Sequence, residues 1–148
     1  MSLPVDEDVA QVLRLLSKVA RDQVATSIDA IHLLLAILSD ETSAPCKLLN
    51  ELKVTRAKVE QVLAKQTRMP SELSRLRYFP VGDSAAAVLI SADVISVQLK
   101  KERVSLDVLL YSTIVTGDRS VREVCSYCGT NPGAIVEAVE KAFNWPQS

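Results

Sequence analysis

The chain repeats itself at a fixed offset of 76 residues, and this feature constrains its fold most. At that offset, apolar residues fall on apolar residues over about 60 positions without a gap. The matched pairs include Val12 with Val88, Val19 with Ile95, Ile28 with Val104, Leu49 with Cys125, Leu52 with Cys128, and Val59 with Ile135. Such a self-match is typical of a duplicated supersecondary unit. The sequence predicts one domain over residues 1–148, with repeats at 5–65 and 81–141 joined by a linker at 66–82.

Each repeat carries four stripes of apolar residues at helical spacing, and residues that favour helix starts precede most of them. The second helix is predicted from about Ile28 to Ser39, after Thr26 and Ser27 as possible caps. Further cap candidates are Thr55, Ser105, Asp118 and Asn131, the last followed by Pro132. Gly117 and Gly129 are predicted to end helices with positive φ. The fold class predicted is all-α, with eight helices in two pseudo-symmetric four-helix repeats.

The segment from Val88 to Val97 is rich in β-branched residues and, taken alone, also fits a strand. Its apolar spacing is helical rather than alternating, and its counterpart in the first repeat carries the same stripe. The repeat register therefore favours a helix here.

Composition excludes several classes of function. The net charge is −1 with both signs interspersed, so we expect no nucleic-acid partner. The longest apolar stretch, from Ile31 to Leu38, is too short to span a membrane and contains His32. Asp6, Glu7 and Asp8 occupy the place where a signal peptide would be basic and apolar. The odd cysteine count argues against a secreted disulfide scaffold. We expect a cytoplasmic protein, or an organelle matrix or stromal one after loss of a transit peptide.

Three features invite a chemical interpretation, and each has a plainer one. His32, the only histidine, fits either a catalytic base or a core residue whose ring bonds to the backbone, and the second is favoured. Cys125 and Cys128 form a CxxC pattern, yet they occupy the register positions of Leu49 and Leu52, so core packing is favoured over redox or zinc chemistry. The arginines and aromatics between Arg68 and Phe79 fit a nucleic-acid strand or, preferably, a solvated linker.

No phosphate-binding loop is present, because the four glycines make neither a GxxxxGK nor a GxGxxG pattern. We therefore expect no ATPase activity from this chain, and no cofactor or metal.

The first repeat resembles the repeat of the Clp N-terminal domain, found at the front of Clp-type AAA+ unfoldases and disaggregases. The residues that carry the resemblance are Val12-Leu13, Ala20, the run from Ile28 through His32-Leu-Leu-Leu to Leu38, and Leu49-Asn-Glu-Leu52-Lys-Val54. The spacing matches from Val12 to Thr55, and the second repeat follows the same frame. The family's acidic residue before the histidine is Ile31 here, whereas the second repeat keeps it as Asp107. Some relatives bind phosphorylated arginine with this acidic pair, and with only one member kept we do not expect that activity.

The resemblance implies a non-catalytic domain that binds unfolded or tagged substrates, adaptor proteins, or the AAA+ modules of the same or a partner chain. It implies an asymmetric groove between the repeats, with lining residues at the starts of the second helices and in the linker. These are Ile31, Tyr78, Phe79, Asp107 and Tyr111. Two alternatives remain at this point. One is a freestanding accessory protein of the same fold that docks on a Clp protease or chaperone complex, and the other is an enzyme that uses Cys125 or Cys128.

Overall fold

In the described residues, eight α-helices form in the same order and with nearly the same spacing in the two repeats. The structure is a computed structural model that describes residues 3–22, 27–65 and 82–146. The helices are α1 (Glu7–Asp22), α2 (Ala30–Ser39), α3 (Ala44–Glu51), α4 (Arg56–Lys65), α5 (Asp83–Gln98), α6 (Leu106–Val115), α7 (Arg119–Tyr127) and α8 (Pro132–Ala142).

The offset seen in the sequence recurs in the helix boundaries. Both ends of α5 lie 76 residues after those of α1, and both ends of α6 lie 76 residues after those of α2. The eight-helix, two-repeat fold class is thereby confirmed, and the β-branched segment from Val88 to Val97 lies inside α5 as predicted. The predicted linker falls almost wholly outside the described residues.

The second helix of each repeat forms the centre of the domain. Every residue of α2 from Ala30 to Leu38 is buried, and α6 is buried along most of its length. The two helices pack against each other, while α3 packs against α8 and α4 against α7, so each repeat covers the other. The core is aliphatic, as expected from the 4% aromatic content. In the described part of the chain, no helix is long and apolar enough to cross a membrane.

Reciprocal backbone hydrogen bonds also join the repeats. The Asp6 N–H donates to the Val104 carbonyl at 2.9 Å, and the Gly82 N–H donates to the Ile28 carbonyl at 2.8 Å. Asp6 corresponds to Gly82 in the repeat register, and Ile28 corresponds to Val104. The segment before the first helix of each repeat therefore pairs with the segment before the second helix of the other repeat.

Helix caps account for most boundaries. The side chains of Asp118 and Asn131 accept hydrogen bonds from the first turns of α7 and α8, as their types predict. The prediction that the second helix starts near Ile28 after Thr26 and Ser27 was wrong. It starts at Ala30 with Asp29 as N-cap, because His32 Nδ1 accepts the Asp29 backbone N–H at 2.9 Å and completes the first turn.

Gly117 and Gly129, the two glycines predicted to end helices, are favoured at their positions for different physical reasons. Gly129 adopts a φ of 76°, as predicted, and its counterpart Lys53 adopts the same left-handed conformation with a φ of 70°. For Gly117 the prediction of positive φ was wrong. A Cβ there would lie 2.5 Å from the Thr113 carbonyl oxygen and 2.8 Å from the Val121 side chain. Close packing between α6 and α7 therefore requires glycine at this position.

Candidate functional site

A groove of about 210 Å³ opens between the two repeats, and we call it the inter-repeat groove. The first repeat contributes Leu3, Val5, Val9 and Leu13 to its lining, and the second contributes Leu89, Ala92, Asp93, Val104 and Leu109. Leu13 and Leu89 occupy the same register position, whereas the other lining residues have no counterpart in the lining, so the groove is asymmetric. All of the lining side chains except Asp93 are apolar, which favours contact with apolar side chains over contact with small polar ligands.

An extended piece of the chain already lies along this groove. The Leu3 N–H donates to Asp93 Oδ1 at 2.6 Å, and the Val104 N–H donates to the Pro4 carbonyl at 2.9 Å. Val5 and Val104 form a single parallel bridge. The segment from Leu3 to Asp6 thus already pairs with the backbone of Val104 at the edge of the groove, and the groove itself offers apolar contacts.

A second cleft, which we call the aromatic cleft, is lined by one of the predicted site residues, Tyr111, and by Trp145. It measures about 340 Å³ and lies between α5, α6 and the residues after α8. The Tyr111 ring packs against the Trp145 ring with centroids 4.5 Å apart and an angle of 39° between the planes. Trp145 Nε1 donates to Asp107 Oδ2 at 2.7 Å. The structure therefore brings Asp107 and Tyr111 together around Trp145.

Two ionisable side chains near α6, Asp8 and Tyr111, have raised pKa values. Burial raises the pKa of Asp8, and the nearby carboxylates of Asp6 and Asp107 raise it further, against hydrogen bonds from the backbone that lower it. Burial also raises the pKa of Tyr111, with a smaller contribution from Glu140.

The remaining predicted site residues are not brought to these clefts. Ile31 is only 2% exposed and belongs to the core of α2, so its predicted contact with a bound chain stays a prediction. Tyr78 and Phe79 lie outside the described residues. The two repeats differ at this register position. Asp107 is 8% exposed and bonded to Trp145, whereas the equivalent residue of the first repeat is the apolar Ile31.

Trp145 was not among the predicted site residues. Asn144 turns the chain with a φ of 54°, and the Trp145 N–H donates to the Glu140 carbonyl at 2.9 Å. The turn directs the indole ring back onto α6. The available signal was an isolated tryptophan three residues after the end of α8, because a buried amphipathic ring usually packs with its N–H bonded.

The plainer interpretations of His32 and the cysteines are confirmed. His32 is 3% exposed, and its ring acts as an acceptor for the backbone of Asp29. All three cysteines are free and buried. Burial raises the pKa of Cys125 to about 11, with a smaller contribution from Cys128, which is opposite to the lowered pKa of a redox CxxC thiol. Among the described residues, no group of three or more histidine, cysteine, aspartate or glutamate side chains is placed to hold a metal ion.

One family model matches most of the chain. Residues 5–128 match the model of the Clp repeat (R) N-terminal domain. A search of curated protein sequences gives no significant match.

Solved structures of N-terminal domains share the fold. The Hsp104 N-terminal domain from Candida albicans superposes with a TM-score of 0.77 at 16% identity, covering 97% of this chain and 94% of that one. The N-terminal domain of the caseinolytic protease associated chaperone ClpD from Arabidopsis thaliana gives 0.74 at 16% identity, covering 95% and 94%. A chain from a malarial protein secretion system gives 0.71 at 19% identity, covering 95% of each.

Proposed function

Because the chain belongs to the Clp repeat N-terminal domain family, we propose that it captures substrate or adaptor proteins for a Clp-type ATP-dependent chaperone or protease. Its fold is that of the N-terminal domains of Hsp104 and ClpD chaperones. In this proposal the domain has no catalysis of its own, and any ATPase motor belongs to AAA+ modules in the same or a partner chain.

The inter-repeat groove is the observation that carries the proposal. Its lining is apolar, it is shared by Leu13 and Leu89 from equivalent positions, and an extended segment of the chain lies at its edge. Unfolded proteins expose apolar side chains, which are the kind of group that this apolar groove can bind. Folded proteins bury most such side chains, which gives the groove a basis for discrimination.

Asp107 and Tyr111 form the second part of the proposed surface. Both lie on α6, which also contributes Leu109 to the groove. Asp107 supplies a negative charge for a basic group on a partner, and Tyr111 together with Trp145 supplies aromatic surface. The proposed partners are therefore unfolded or tagged chains, and adaptors, that carry apolar and basic residues close together.

The three free, buried cysteines support a reducing compartment for this activity. We propose the cytoplasm, or an organelle matrix or stroma.

A binding titration tests the proposed function. A permanently unfolded, fluorescein-labelled polypeptide is titrated with the domain, and fluorescence anisotropy gives the dissociation constant. We expect Leu89→Ser to weaken binding at least fivefold, since it removes an apolar side chain from the groove. Val115→Ser is the matched control, because Val115 is also an exposed apolar residue but does not line the groove.

A second variant tests the aromatic cleft. Asp107→Ala combined with Tyr111→Ala removes the carboxylate bonded to Trp145 and one ring of the cleft, and we expect at least a threefold loss for a polypeptide rich in lysine and arginine. Binding that is indifferent to the double substitution would remove Asp107 and Tyr111 from the site. Binding that is also indifferent to Leu89→Ser would overturn the proposed function.

A further inference from the structure

Helix α5 carries an apolar stripe on its outer side, which we call the outer stripe. It consists of Ala87, Ile90, Val94 and Val97, all of which are exposed. Ile90 is 67% exposed, Val94 50% and Val97 59%, and they are among the most exposed large apolar residues of the described chain. Their spacing of three, four and three residues places them along one face, as in the seam of a pair of coiled helices.

The first repeat shows that the fold does not require this stripe. The equivalent positions on α1 are all polar or charged, and they are Gln11, Arg14, Lys18 and Arg21. Two of these side chains form ion pairs along the surface of α1, Arg14 with Glu7 at 3.1 Å and Lys18 with Asp22 at 3.3 Å. The same helix in the same fold is thus solvated in one repeat and apolar in the other, which points to a partner that covers α5.

The charges at the ends of the outer stripe indicate what that partner is. Asp83 lies in the first turn of α5, and Lys100 and Lys101 follow its last turn. The one charged residue between them, Asp93, accepts a hydrogen bond from Leu3 at the groove. The outer face of α5 is therefore acidic at one end, apolar in the middle and basic at the other end.

We propose that the outer stripe binds the outer stripe of a second copy of this chain, with the two α5 helices antiparallel. In that arrangement Ile90 of one copy faces Val94 of the other, and Ala87 faces Val97. Asp83 of each copy then lies close to the lysines at positions 100 and 101 of the other copy, so both ends of the contact carry opposite charges. A parallel arrangement would place like charges together at both ends.

The area of the stripe sets the strength of this association. Its exposed side chains present roughly 300–400 Å² of apolar surface per copy, the size of a patch that is often functional on a monomer. A stable dimer buries about 800 Å² per partner. The association therefore falls in the weak, transient class of interfaces. This inference is independent of substrate capture, because the outer stripe and the inter-repeat groove have no residue in common.

Sedimentation equilibrium from about 10 µM to 1 mM of the chain tests the proposal. We expect the average mass to rise with concentration. Ile90→Arg with Val94→Lys installs the side chains that the first repeat carries at these positions, and we expect this variant to stay monomeric. Arg14→Gln with Lys18→Gln is the matched control on α1 and should associate like the unmodified chain. Circular dichroism establishes that each variant is folded.

A charge exchange tests the antiparallel arrangement. Asp83→Lys should weaken the association at least threefold, and Asp83→Lys combined with Lys100→Asp and Lys101→Asp should restore it. A chain that is monomeric at 1 mM, or an association unaffected by Ile90→Arg with Val94→Lys, would overturn the proposal. Failure of the charge exchange to restore association would overturn the antiparallel pairing.

Discussion

Trp145 donates its indole N–H to Asp107 Oδ2 at 2.7 Å, which ties the residues after the last helix to the first turn of α6. Its ring also packs against Tyr111, one turn further along α6. The position of the residues after α8 thus depends on Asp107, whose counterpart in the first repeat is the apolar Ile31. Binding at Asp107 would compete with this contact.

Because of this contact, we expect the fluorescence of Trp145 to change when its hydrogen bond to Asp107 is lost. Trp145 is the only tryptophan, so its emission is specific for this site. We expect Asp107→Ala to shift the emission maximum to longer wavelength and to lower the free energy of unfolding by about 1–2 kcal/mol, since a hydrogen bond to a carboxylate is lost. Tyr111→Phe is the control, because it keeps the ring contact. An unchanged emission spectrum in Asp107→Ala would show that the ring is held by other contacts.

The backbone conformation of Lys53 predicts that a glycine at this position would stabilise the fold. It adopts a φ of 70° at the end of α3, while Gly129 adopts 76° at the equivalent end of α7. A residue with a Cβ is strained in this region, by about 1 kcal/mol. Lys53→Gly should therefore raise the free energy of unfolding by about 0.5–1 kcal/mol, and Gly129→Ala should lower it by a similar amount. Urea unfolding measures both, and the same sign in both variants would contradict the argument.

Substitutions of His32 test how much its hydrogen bond stabilises the first turn of α2. Its Nδ1 accepts the backbone N–H of Asp29 in a buried site. His32→Gln offers another acceptor at this position, whereas His32→Leu fills the space without one. We expect His32→Leu to be less stable than His32→Gln by about 1 kcal/mol, the usual magnitude of a lost helix cap. Equal thermal unfolding of the two variants would mean that only the volume of the side chain matters.

The buried thiol of Cys125 predicts a loss of stability at alkaline pH. Its pKa is about 11 in the folded chain against 9.0 as the ordinary value. Between these values the unfolded chain releases the proton more readily than the folded one, so the thiol's contribution to stability falls as pH rises from about 9 through about 11. The Cys125→Ala variant has no thiol at this position, so this contribution to the pH dependence is absent. The difference in unfolding free energy between the parent and Cys125→Ala should therefore shrink from pH 8 to pH 10.5, and a constant difference would contradict the assigned pKa.

The sequence predicted the fold well, because the repeat supplied each helix twice. The segment from Val88 to Val97 is ambiguous alone, and its counterpart around Val12 resolved it. The start of α2 was misplaced because its N-terminal turn depends on a histidine acting as acceptor, a role more typical of Glu or Gln. Gly117 was misinterpreted because close approach between α6 and α7 is a tertiary property.

The candidate site was less predictable than the fold. Asp107 and Tyr111 came from the resemblance, but their partner Trp145 lies beyond the repeat register and contacts a residue 38 positions earlier. The groove lining was not predicted either. Leu13 and Leu89 look like ordinary stripe residues, and only the packing of the two repeats leaves both of them at an opening.

The reciprocal hydrogen bonds between the repeats also bear on how such a domain arises. Asp6 bonds to Val104 and Gly82 bonds to Ile28, so each repeat satisfies backbone groups of the other. A single repeat on its own would leave these groups without protein partners, while two identical repeats around a twofold axis would satisfy all of them. The arrangement is thus that of a homodimer whose subunits have become one polypeptide. Two separately expressed halves, cut within residues 66–81, should accordingly reassemble by fragment complementation.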